Sequence, residues 1–208
     1  MTGSRVLALA FVVFGALACG HKDNAQGDPT ARAGSDDLAG EQQKFDAERR
    51  PDQVVTAMGI GPGSRVADIG AGSGLLTVHL ARAVAPDGRV VATDIDQGVL
   101  DLLGKRMTAM GFGQVVQPKL VSADAPGLED HAYDAILLAE VDHYFQDPVA
   151  WLKAATAALK PGGRIVISNR IYHRAQSMEA ARKAGLVLKS ESEPVPTHFV
   201  AVFTAPET

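Results

Sequence analysis

The chain has 208 residues and a formal net charge of -4. That length suits one α/β domain with additions, and near-average apolar and charged fractions say globular. Beyond short pairs such as Arg49-Arg50 no basic stripe stands out, so nucleic acid is disfavoured as a partner. The single cysteine, Cys19, excludes an internal disulfide and a thiolate metal cluster.

Arg5 and the amino terminus supply positive charge, Val6 to Ala18 is apolar, and Ala16-Leu17-Ala18 has the small-x-small form of a cleavage site. The apolar run is shorter than the roughly 20 residues of a spanning helix. With Cys19 directly after it, this start resembles a bacterial lipoprotein signal. The resemblance implies a signal peptide over 1–18 and an exported chain anchored in a membrane by a lipid on Cys19. Ordinary secretion and an uncleaved start on a cytoplasmic protein are the alternatives. Residues 21–40 are polar, rich in Gly, Asp and Ala, and lack apolar periodicity. They read as part of a disordered tether, 19–40, before a domain over 41–208.

From Glu41 the pattern changes. Phe45, Val54, Val55 and Met58 predict helical segments either side of Pro51, whose missing N–H suits a first helical turn. Strands and helices then alternate. Val66 to Ile69 is a strand, Leu75 to Val84 a helix, Arg89 to Asp94 a strand. Gln97 to Met110 is a helix with Val99, Leu100, Leu103, Met107 and Met110 inward. Lys119 to Ala123 and the uniformly apolar Tyr133 to Ala139 are further strands, the latter covered on both faces. Val149 to Leu159 is helical and Lys160-Pro161-Gly162-Gly163 ends it. Then come a strand at Arg164 to Ser168, a short helix at Ser177 to Ala184, and strands at Leu186 to Ser190 and Phe199 to Thr204. The short loop Glu191 to Thr197 makes that last pair antiparallel. The pattern predicts an α/β fold, a three-layer sandwich.

The densest signal is RVADIGAGSGLLTVHLARAVAPDGRVVATDID, residues 65–96. A buried strand, a glycine-rich turn, an amphipathic helix and a second strand ending in an acid make a nucleotide-binding βαβ unit. Gly70, Gly72 and Gly74 give G-x-G-x-G, whereas the dinucleotide fingerprint places its third glycine where Leu75 stands. This turns the reading from a pyrophosphate toward a smaller adenosyl ligand.

On ADIGAGSG at 67–74, VVATDID at 90–96, SAD at 122–124, AEVDHYFQDP at 139–148 and ALKPGGRIVIS at 158–168, the chain resembles the class I S-adenosylmethionine (SAM)-dependent methyltransferases. It is similar above all to their ubiquinone/menaquinone-type small-molecule group, over roughly Pro51 to Thr204. The resemblance implies a Rossmann-like, seven-stranded, mostly parallel sheet ordered 3-2-1-4-5-7-6 with the last strand antiparallel. It implies SAM as cofactor.

Gly70, Ala71, Gly72 and Gly74 let backbone approach a ligand at a helix N-terminus; in the family this loop passes under the methionyl part of SAM, with Asp68 at its ammonium end. Asp94 can accept both ribose hydroxyls, and Ile95 lies against adenine. Asp96 is the rival carboxylate, better suited to cap the next helix. The resemblance carries Asp124 to the adenine amino group with Ala125 beside it. Glu140, at a strand's carboxyl end, is a candidate for the methionyl side. His143 is the candidate catalytic residue, a base for an acceptor that must lose a proton; a histidine merely packed in its loop is the alternative. Tyr144 stands where similar sequences often carry a second histidine, and His173-Arg174 resembles a pair found after strand five. Trp151 reads as core. His21, His79, His131 and His198 are too scattered for a metal site.

The function expected is methyl transfer from SAM to an oxygen or carbon of a small-molecule acceptor, with a non-catalytic SAM-binding sensor or scaffold as the alternative. A nicotinamide-dependent oxidoreductase is disfavoured by the glycine spacing.

Overall fold

In the computed structural model, residues 29–206 are described. The signal-like start and Cys19 lie outside them. The chain runs α1 (Pro29–Arg49), α2 (Pro51–Met58), β1 (Arg65–Ile69), α3 (Thr77–Val84), β2 (Arg89–Asp94), α4 (Gln97–Ala109), β3 (Val116–Leu120) and β4 (Tyr133–Ala139). It continues through α5 (Pro148–Ala157), β5 (Leu159–Arg170), α6 (Arg174–Lys183), β6 (Val187–Val195) and β7 (His198–Thr204). The sheet order is β3-β2-β1-β4-β5-β7-β6, with β7 antiparallel to both neighbours, as the family resemblance implies.

Alternation along the central strands builds two cores, because successive side chains point to opposite faces. Val66, Val90, Ala92, Ala135 and Leu137 meet α2, α3 and α4 on one face. Ala67, Ile69, Val91, Ile136 and Leu138 meet α5 and α6 on the other. A sheet covered twice explains why β4 reads as an unbroken apolar run.

Four local departures from the sequence reading have physical causes. The helix α1 reaches back to Pro29, into the stretch expected as a tether; Ala, Arg and Leu there favour helix despite Gly34 and Gly40. The third strand is Val116–Leu120, not Lys119 to Ala123. Pro118 argues against a central strand, but β3 is a sheet edge, where a missing N–H is tolerated. That shift frees Val121 to Ala125 to form a loop at the end of β2. Met110 is 40% exposed because α4 has ended and Met110 is its C-cap. Finally, β6 extends to Val195, so the first part of the expected Glu191 to Thr197 loop belongs to the strand, with a register irregularity between Ser192 and Val195.

Pro51 opens α2 as expected, and Arg50 before it takes a left-handed conformation, φ 49°, outside the right-handed helical region that the following proline disfavours.

Candidate active site

A cavity of about 270 Å³ opens at the carboxyl ends of β1, β2 and β4. Here β1 pairs with β2 on one side and β4 on the other, the switch point at which open parallel sheets bind ligands. Its apolar walls include Ile69, Val121, Val141, Phe145 and Trp151, and its polar groups include Thr93, Asp94 and Glu140.

The β1–β2 side is built mainly from backbone. Gly70 has φ 66°, and a Cβ added there would lie 2.7 Å from Val141 Cγ2. The Ala71 N–H donates to the Thr93 carbonyl at 2.9 Å and the Gly72 N–H to Asp94 Oδ2 at 3.0 Å. Asp94 Oδ1 accepts the N–H groups of Ile95 at 2.7 Å and Asp96 at 3.1 Å. Three amides thus aim one carboxylate, which keeps acceptor capacity on Oδ2 toward the cavity. Asp96 instead caps α4, accepting from the Gly98 and Val99 N–H groups. Of these two carboxylates, Asp94 lines the cavity.

Of the other expected contacts, Gly70, Ile95, Ala125 and Glu140 line the cavity. Asp68, Ala71, Gly72, Gly74 and Asp124 are not among its walls. Gly74 serves packing, since a Cβ there would lie 3.0 Å from both Leu103 Cγ and Met107 Cε. Asp68 is buried below the loop and accepts the Thr77 hydroxyl at 2.7 Å. Burial pushes its carboxyl up to about 6, against the Thr77 hydrogen bond.

Glu140 adopts φ 52°, a left-handed backbone that non-glycine residues enter at a cost and that clusters at functional sites. Its Oε1 is met by Arg49 at 2.6 Å and His198 at 2.6 Å, with Arg170 Nε at 3.7 Å. Burial works to raise the Glu140 carboxyl; the His198 hydrogen bond and the Arg49 charge outweigh it and hold it below the ordinary carboxylate value. The sequence reading missed both Arg49, noted only within a short basic pair, and His198, set aside as scattered. His198 had one signal: it opens an otherwise apolar strand. Trp151, assigned to core, is buried but also walls the cavity, stacked on Phe145 at 4.3 Å.

His143 is absent from the cavity walls. Asn169 accepts the Arg170 N–H on Oδ1 and donates from Nδ2 to Asp142 at 2.6 Å and His143 Nδ1 at 3.0 Å. A donor facing Nδ1 occupies that lone pair, so a neutral ring carries its proton on Nε2. The ring therefore offers a donor, not the proton acceptor expected from sequence. Burial, then the neighbouring His173, lowers its basicity further.

The site fits an adenosyl ligand on its own evidence. The Thr93 hydroxyl is buried against the cavity without a hydrogen-bond partner, which native interiors rarely tolerate. Among the described residues no group of His, Cys, Asp and Glu could hold a metal ion.

A methyltransferase domain model matches residues 67–165. A ubiquinone/menaquinone biosynthesis C-methyltransferase of Teredinibacter turnerae is 35% identical over 114 residues, 55% of this chain and 46% of that protein. A demethylmenaquinone methyltransferase of Bacillus cytotoxicus is 30% identical over 116 residues, 55% of this chain and 48% of that protein. The chain thus spans about half the length of these relatives. A SAM-dependent methyltransferase from Aquifex aeolicus shares the fold, with TM-score 0.73 at 18% identity over 86% of this chain and 98% of that one. The sequence likeness is thus to quinone C-methyltransferases over a methyltransferase domain match, and the fold is one shared with a SAM-dependent methyltransferase.

Proposed function

We propose that the protein transfers a methyl group from SAM to an oxygen or carbon atom of a small-molecule acceptor. The observation that carries this is the Asp94 carboxylate, aimed by three amides into a cavity whose buried Thr93 hydroxyl has no protein partner. Bound SAM supplies a methyl group on a sulfonium sulfur, a leaving group already activated. The chain's task is then to hold donor and acceptor in line with the reacting atoms roughly 3–3.5 Å apart.

Asp94 holds the ribose through its free acceptor capacity, and Ile95 and Ala125 flank the adenine. Gly70 keeps the cavity floor clear, and Glu140 bounds the end facing β4 and β7. Phe145 and Trp151 exclude water. The quinone-type relatives support a partly apolar acceptor.

Isothermal titration of the full chain with SAM and with its demethylated product tests this reading. Saturable heat from both is expected, and no heat from either would refute it.

We also propose that the chain is exported and anchored through a lipid on Cys19. Globomycin treatment should then accumulate a prolipoprotein; an unchanged mass would count against lipidation.

A further inference from the structure

We propose that the acceptor is a flat, negatively charged small molecule, stacked on the exposed rings at the cavity mouth with its charge held by Arg170. This rests on the methyltransferase reading and narrows it to a substrate class.

Volume makes the first argument. About 270 Å³ lies just below the usual range for one small ligand, roughly 300–1,000 Å³. A cofactor inside leaves the acceptor to be presented at the rim.

The rim is aromatic. Tyr144, which walls the cavity, lies 4.0 Å from the His143 ring; His143 stacks on His173 at 4.0 Å and 13°, and Tyr172 follows at 4.3 Å. Tyr144 and Tyr172 are 75% and 73% exposed. A row of rings that starts at a cavity wall and carries two exposed tyrosines marks a binding surface, and aromatic faces favour flat partners.

Charge supplies the rest. Arg174 is paired with Glu191 and Arg49 with Glu140. Arg170 is 51% exposed, and its guanidinium reaches Glu140 only at 3.7 Å, too far for a hydrogen bond. Its planar fork suits a carboxylate or phenolate. Where the ionised oxygen is itself the one methylated, no protein base is needed, which agrees with the occupied Nδ1 of His143.

The test titrates the full chain, with and without S-adenosylhomocysteine, with caffeic acid and with its methyl ester. The acid is expected to bind at least about tenfold more tightly, as a charge-assisted bidentate pair would give. R170Q should abolish that preference while leaving S-adenosylhomocysteine affinity within about twofold. Y144A should weaken acid and ester alike. Equal affinity for the pair, a preference that survives R170Q, or binding of neither compound would overturn the proposal. Failure of S-adenosylhomocysteine to bind is a separate result and refutes the cofactor assignment instead.

Discussion

The two sides of the cavity are made differently. Toward β1 and β2, backbone does the work: glycine conformations, amides and one carboxylate fixed from three directions. Toward β4, β5 and β7 the groups are side chains, four rings in a row and a cluster of two arginines and one histidine around Glu140. Backbone geometry tolerates little change, whereas exposed side chains can be exchanged at small cost to stability. A family can therefore keep one cofactor and vary its acceptors by altering the second side alone.

Substitutions should separate the two sides. The largest effect is expected at Gly70: G70V puts a branched side chain at φ 66° against Val141 and should cost about 2–4 kcal/mol in urea unfolding. An unshifted midpoint would mean that the loop yields freely.

Next, D94A removes the acceptor of three amides. S-adenosylhomocysteine binding should weaken by about 1–3 kcal/mol by calorimetry, and unaltered affinity would refute the ribose contact.

D68N separates stability from binding. The Asp68 carboxyl is raised in the folded state to about 6, so the folded protein holds this proton more tightly than the unfolded chain does. That contribution is full below the unfolded value and is lost as pH rises through about 6. Above pH 6 the buried charge is a liability. The neutral amide should stabilise the protein at pH 8 by on the order of 1–3 kcal/mol, a gain shrinking toward zero near pH 4. Melting temperatures at the two pH values measure this; an equal shift at both would contradict it.

The smallest effect on stability is expected across the cavity. Y144A should move the unfolding free energy by less than about 0.5 kcal/mol while reducing acceptor affinity.

The same division decided what was legible in the sequence. Glycine spacing and acidic residues at strand ends are local signals, so Gly70, Asp94 and the Asp96 cap were readable in order along the chain. Strand order came through family motifs rather than periodicity. The Glu140 cluster was not readable, because Arg49, Arg170 and His198 come from α1, β5 and β7, and only folding brings them together. His143 shows the limit most sharply. Its position was readable, but the direction of its lone pair depends on Asn169, 26 residues away. The edge strand β3 was displaced for a related reason: Pro118 is a stop signal only where both sides of a strand must pair.

Arg106 carries a consequence for where this protein can be cut. It is 2% exposed, donates through Nε to the Ser73 carbonyl of the glycine loop at 2.9 Å and pairs with Glu41 of α1. A fragment trimmed to the 67–165 stretch would retain an interior cation and forfeit its counter-ion, which interiors penalise heavily. The autonomous unit therefore includes the helix that carries Glu41, and excising the motif-bearing stretch alone would yield a piece with a misplaced ligand loop.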